Sequence, residues 1–225
     1  MASDVIGFSV YNKETGDFEY RRGAIICNFF LGDEINRTSA KTQAALLQAM
    51  EELKVTVDGK TYKLPDPFVC VATQNPLGSA GTHNLPDSQL DRFMVRLSMG
   101  YPTIENTIEI VQLRQGVDPL DSVRAVATAE DIRFMRSAVT AVYIDESLIR
   151  YAAELCDRTR HLEEVEQGVS PRAVLALVQM AKASAYMRGR NYVVPEDIQS
   201  LYTEIQSYIN DVLLPALESL GGEWA

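Results

Sequence analysis

The sequence predicts an α/β fold with a parallel sheet and β-hairpin inserts, followed by an all-helical region. Three observations carry this reading. The apolar runs Ala24–Leu31 and Phe68–Thr73 suit strands covered on both faces, and each stops abruptly at polar residues. Two other stretches alternate around turn residues as hairpins do. Beyond Pro102, apolar residues recur at helical spacing.

The first hairpin is Phe8-Ser9-Val10-Tyr11, a turn at Glu14-Thr15-Gly16-Asp17, then Phe18-Glu19-Tyr20. The run Ala24–Leu31 follows as a strand and ends at Gly32-Asp33-Glu34. A helix capped by Thr38 or Ser39 carries Leu46, Met50 and Leu53 on one side. Val55–Tyr62 is the second hairpin, with Asp58-Gly59 as a type I′ turn. The strand Phe68–Thr73 stops at Gln74-Asn75-Pro76. Asp87 caps a short helix running to Phe93, and Met94–Leu97 reads as a further strand.

Helices are then expected near 105–115, 129–139, 146–158, 171–187 and 195–214. Their starts are signalled by Thr128-x-x-Asp131, Ser170-Pro171 and Pro195-Glu196-Asp197. The expected domains are 1–116, α/β, and 117–225, helical.

Composition narrows the function. The 225 residues are 46% hydrophobic and 23% charged, which argues against disorder over most of the length. The formal charge of −10 argues against a general nucleic-acid binder. No apolar stretch approaches the ~18 residues of a membrane span, and the start Met-Ala-Ser-Asp-Val-Ile-Gly lacks the marks of a signal peptide. Cys27, Cys70 and Cys156 are odd in number and far apart, so buried free thiols in a reducing cytoplasm are expected. His83 and His161 stand beside no cysteine, which makes a zinc site improbable.

In an open parallel sheet, ligands bind at the carboxyl ends of the strands. Two strands here end in chemically useful groups. Asp33 and Glu34 put two carboxylates side by side; in phosphoryl transfer one such group holds Mg²⁺ and the other polarises the attacking water. Asn75 could touch a γ-phosphate or orient that water. Singly, an Asp-Glu pair before a helix and an Asn-Pro turn are ordinary surface features. Together, at two strand ends, they favour the phosphoryl-transfer reading over the surface one.

The blocks Leu31-Gly32-Asp33-Glu34-Ile35-Asn36-Arg37 and Lys41–Glu52 closely resemble the MoxR family of AAA+ ATPases. So do Ala72–Pro76, Leu85–Phe93, Gly100-Tyr101-Pro102, Gly168–Ala173 and Arg188–Asp197. The resemblance spans roughly Ser3 to Ile198. It implies a partial AAA+ core followed by a lid, with ATP and Mg²⁺ as cofactors. It implies Asp33 as Walker B metal ligand, Glu34 as water activator and Asn75 as sensor 1. Arg92 matches the arginine finger that reaches a neighbouring subunit's nucleotide, and Arg172 matches sensor 2 on the lid. A guanidinium fork suits phosphate and developing negative charge. The resemblance further implies a homo- or hetero-oligomeric ring, hexameric in the family, chaperone-like remodelling or maturation of partner proteins, and partners such as von Willebrand factor A-domain proteins. Tyr11, Phe18, Tyr20 and Tyr62 on the two hairpins are then either contacts facing a central pore or residues packing across the hairpins.

The family's phosphate loop, Gly-x-x-x-x-Gly-Lys-Ser/Thr, does not occur in these residues. Gly59-Lys60-Thr61 is a decoy: the residue five before Gly59 is Lys54, and the context is a hairpin. The Walker A segment of the family pattern is therefore expected to be absent, leaving apolar strand edges and faces uncovered, and the chain alone is expected to bind ATP weakly or not at all. Ser207–Leu214 departs from the Arg-His-Arg-like segment of the family, and Gly221–Ala225 reads as a loose tail. Two alternatives stand beside an ATPase part: a non-catalytic subunit donating Arg92 in trans, and a plain interaction module.

Overall fold

The computed structural model describes residues 1–74, 85–97, 100–114, 116, 118–161 and 168–204. The chain divides into two compact units, Met1–Phe93 and Met94–Ala225.

The first unit begins with a helix that the sequence reading missed, α1 (Ala2–Ile6). The expected first hairpin follows as β1 (Gly7–Tyr11) and β2 (Phe18–Arg22), with Tyr11 opposite Phe18. The long apolar run is only half strand: β3 is Phe29–Gly32, and residues 24–28 form turns. The reason is local. The Ala24 and Ile25 amides donate to the Asp4 and Val5 carbonyls of α1, at 2.9 and 3.0 Å. Ile25, fully buried, thus serves the core from a loop. Gly23 permits this approach, since a Cβ there would lie 2.2 Å from the Val5 carbonyl oxygen.

A 3-10 turn at Ile35–Arg37 leads into α2 (Ala40–Glu52). Ser39 is the cap, its hydroxyl accepting from the Thr42 amide at 3.3 Å. The second hairpin is β4 (Lys54–Val57) and β5 (Lys60–Lys63); Asp58 and Gly59 both have positive φ, as the I′ turn requires. The strand β6 (Val69–Ala72) pairs parallel with β3, Phe30 opposite Cys70 and Gly32 opposite Ala72.

Around this pair, Ile35, Leu46, Leu47, Ala49, Val55 and Leu64 form the buried core, with Phe30, Cys70 and Ala72 packed against it. Period-two alternation puts Phe29, Leu31, Val69 and Val71 on the opposite face, and that face is exposed. The pair is therefore covered on one face rather than on both. Next, α3 (Asp87–Leu90) is shorter than expected: Asp87 is its first residue, and a turn carries the chain on to Phe93. Of the expected strand Met94–Leu97, only Leu97 takes part in a β-bridge, and Met94–Arg96 are bend and loop. Strand character needs a paired backbone, not only apolar side chains.

The second unit contains α4 (Ile104–Leu113), α5 (Ala129–Ala141), α6 (Glu146–Arg158), α7 (Pro171–Met187) and α8 (Pro195–Glu204). The expected extension of α8 to 214 lies outside the described residues. Starts fall where the caps predict. Thr128 and Asp131 form a reciprocal capping box, and Ser170 precedes Pro171 at the first turn of α7. Helix α7 packs against α5, α6 and α8. Ala152, Leu155, Cys156, Leu177, Ala181, Ala185 and Ile198 are buried between them.

Candidate functional site

Parallel pairing brings the ends of β3 and β6 together. Asp33 and Glu34 follow β3, and Thr73 follows β6. The Thr73 hydroxyl donates to Asp33 Oδ1 at 2.5 Å, and Thr73 Oγ1 accepts from the Glu34 amide at 2.8 Å. Backbone bonds flank this contact: the Thr73 amide donates to the Gly32 carbonyl at 2.9 Å, and the Ile35 amide to the Thr73 carbonyl at 3.0 Å. The turn carrying the two carboxylates is thus fastened to the neighbouring strand on both sides.

Glu34 sits in the left-handed region, φ 47° and ψ 48°, which costs a residue with a Cβ about 1–2 kcal/mol. The chain turns there so that Ile35 can enter the core while both carboxylates stay at the sheet end. Helix α2 braces the turn from below, with buried Gln43 donating through Nε2 to the Ile35 carbonyl at 3.1 Å. The Glu34 carboxylate meets Arg37 Nε at 3.1 Å. Beside it, the Asp33 carboxylate keeps an oxygen that the Thr73 bond does not use.

Arg92 lies in the turn after α3. Its guanidinium reaches Glu51 of α2 at 3.4 Å, and about a third of the side chain is exposed. Arg172 belongs to the second unit, exposed in the first turn of α7. The segment before it is tightly held. The Thr159 hydroxyl donates to the Cys156 carbonyl at 2.7 Å and accepts from the Val169 amide at 2.9 Å. Arg160 donates through Nε and a terminal nitrogen to the Val169 carbonyl, at 3.2 and 3.1 Å. A Cβ on Gly168 would lie 2.4 Å from Arg160 Cγ, so glycine is the residue that fits.

These features have close relatives. The family model "ATPase family associated with various cellular activities (AAA)" matches residues 1–95, and the AAA lid domain model matches 157–205. A crystal structure of a candidate ATPase from Cytophaga hutchinsonii matches with a TM-score of 0.85 at 34% identity, over 97% of this chain and 73% of that one. This chain is a MoxR-type AAA+ ATPase family member. It is 47% identical to the uncharacterized protein YeaC of Bacillus subtilis over 89% of its own length. It is 35% identical to Chaperone MoxR1 of Mycobacterium tuberculosis over 91%. It spans 63% and 56% of the length of those two relatives.

Within this MoxR-type chain, the structure brings Asp33 and Glu34 together at the sheet end. Asn75 lies outside the described residues. Arg92 shares the unit of the carboxylates but pairs with Glu51, and Arg172 is placed by the lid helix. Thr73 and Gln43 were missed from the sequence. Thr73 directly follows the apolar run of β6, and only the parallel partner reveals what its hydroxyl holds.

The donor set fits Mg²⁺ of the kind that nucleotides carry. That ion takes one or two carboxylates and fills its remaining positions with water and phosphate. Asp33 supplies such an oxygen at an accessible strand end. Among the described residues no group of three His, Cys, Asp or Glu side chains could hold an ion unaided.

The hairpin aromatics divide. Tyr20 stacks on Tyr62 at 4.0 Å, joining the two hairpins, and its hydroxyl donates to the Ile6 carbonyl. Tyr11 and Phe18 pack edge to face at 5.4 Å across the first hairpin but remain more than half exposed.

The block Arg188–Asp197 has a structural purpose. Asp197 is fully buried and accepts from Arg190 at 2.7 and 2.6 Å, from Arg188 at 3.2 Å and from the Val194 amide at 2.9 Å. It ties the end of α7 to the start of α8.

Proposed function

We propose that this chain contributes the carboxylate edge and the lid of a MoxR-type ATP hydrolase, in which hydrolysis drives chaperone-like remodelling or maturation of partner proteins. The observation that carries the reading is the fastening of Asp33 and Glu34 to the end of β6 by Thr73. Such preorganised charge is what phosphoryl transfer asks of a protein.

Asp33 would hold Mg²⁺, and Glu34 would orient and polarise the attacking water. Asn75 would take the sensor 1 role toward the γ-phosphate or that water. Arg92 serves the nucleotide of a neighbouring subunit, and Arg172 takes the role of sensor 2. When bound, Mg²⁺-ATP would supply the transferable phosphoryl group, the ion offsetting its negative charge. Residues 1–116 form the core part and 117–225 the lid of a cytoplasmic ring, hexameric as in the family. A von Willebrand factor A-domain protein is the partner type this reading favours.

One observation favours a second reading. With no phosphate loop in its 225 residues, the chain is a weak ATP binder by itself and donates Arg92 in trans. Mixing it with an intact homologue that carries the loop tests this. The mixture should hydrolyse ATP at a rate that falls when Arg92 is replaced by Ala. A rate indifferent to that substitution sinks the trans role, and low-micromolar binding of a fluorescent ATP analogue to the chain alone sinks the weak-binding claim.

A further inference from the structure

We infer that Thr73 is a positioning residue for the carboxylate pair, setting the Asp33 rotamer and the Glu34 backbone through one hydroxyl. The inference rests on the metal role proposed above for Asp33.

The geometry is specific. A threonine hydroxyl has one proton and two lone pairs. Here the proton goes to Asp33 Oδ1 at 2.5 Å, and a lone pair takes the Glu34 amide at 2.8 Å. Giving to one residue and taking from the next fixes the hydroxyl rotor and both neighbours together. The donation engages one Asp33 oxygen and leaves the other for an outside ligand. The acceptance holds Glu34 in its left-handed conformation, which an unsupported turn would relax. The Thr73 backbone is itself bonded to Gly32 and Ile35, so the hydroxyl cannot drift from its targets. Groups that orient a metal-binding carboxylate act in this way, and losing one typically lowers metal affinity about 10- to 100-fold.

The position also links the two strand ends. Thr73 directly follows β6, two residues before Asn75, so any shift of β6 along β3 would pull on the Asp33 carboxylate.

The test uses the ¹⁵N-labelled chain titrated with Mn²⁺-ATP up to millimolar concentration, where a weak nucleotide binder is still loaded, following paramagnetic broadening of the Gly32, Glu34 and Ile35 amides. Wild type and Thr73→Ser, which keeps the hydroxyl, are expected to broaden at similar concentrations. Thr73→Val, which keeps the shape, is expected to need about 10- to 100-fold more. Thr73→Ala replaces it should the valine variant lose amide dispersion. Thermal unfolding of the same samples separates positioning from folding: the serine and valine variants should differ in Mn²⁺-ATP response by far more than their stabilities do. Equal broadening in wild type and Thr73→Val overturns the role of Thr73 alone. No localised broadening in wild type overturns the metal role of Asp33, and this inference with it.

Discussion

Arg190 grips Asp197 through two hydrogen bonds, 2.7 and 2.6 Å long, and the carboxylate they hold is fully buried. The two residues are seven apart, one in the turn after α7 and the other in the first turn of α8. Burial opposes ionisation of Asp197. The Arg190 fork, the Val194 amide and Ser184 outweigh it and hold the carboxyl below its ordinary range.

A pH dependence follows. A carboxyl with a lowered folded pKa adds stability that is present above the unfolded value of about 3.9 and is lost as pH falls through the folded value. The lid should therefore lose stability in acid below about pH 4. Asp197→Asn should remove that dependence and cost about 1–3 kcal/mol near neutrality, because two partly exposed arginines lose a charged hydrogen-bond partner. Thermal melts followed by circular dichroism across pH, with wild type and variant side by side, decide this. A variant as stable as wild type would mean that the arginines re-solvate at little cost.

The lid core should respond to cavities in the usual way. Leu155 is buried between α6 and α7, so Leu155→Ala should cost about 2–5 kcal/mol. Ile149 on the same helix is exposed, and Ile149→Ala should fall within about 0.5 kcal/mol of wild type. Denaturant midpoints of the pair distinguish a packed α6 from a loosely docked one.

Two thiols should be slow to alkylate. Burial pushes Cys70 and Cys156 up to about 11, with Cys27 adding to the effect at Cys70 and Arg160 opposing it at Cys156. The thiolate is the nucleophile, so a rise of about two units cuts reactivity near neutral pH roughly 100-fold. Iodoacetamide labelling with peptide mass analysis should show both lagging far behind the same cysteines in denaturant. Rapid native labelling of Cys156 would mean that the lid opens readily.

Legibility in the sequence followed the range of the interactions. The second hairpin was readable because Asp58-Gly59 demands its own turn. The starts of α2, α5 and α7 were readable because Ser39, Thr128 and Ser170 cap helices only two or three residues away. The run Ala24–Leu31 was misread because apolar composition does not say whether a backbone pairs with a strand or, as at Ala24 and Ile25, with the end of a helix. At the site, the acidic pair was legible and its fastening was not. Thr73 lies forty residues from Asp33, and only the register of β3 on β6 makes them neighbours. The Arg188–Asp197 block was recognisable by resemblance, yet its reason, a buried carboxylate shared by two arginines, needs the turn between α7 and α8.

At Glu34 stability is set against function. Its left-handed backbone is unfavourable for any side chain with a Cβ, by about 1–2 kcal/mol, and is free of that cost for glycine. The half-exposed ion pair with Arg37 offsets little of this, since such pairs contribute about 0–1 kcal/mol. Glycine also gains freedom in the unfolded chain, which trims the benefit. Glu34→Gly should therefore raise stability by about 0.5–1 kcal/mol, while removing the carboxylate that the proposed hydrolysis needs. Glu34→Gln keeps the strain and loses only the charge, so it should leave stability near wild type. Urea unfolding of the three proteins separates these terms. A glycine variant less stable than wild type would mean that the Glu34 side chain contributes more to the turn than its backbone costs, and that the residue is there for folding before chemistry.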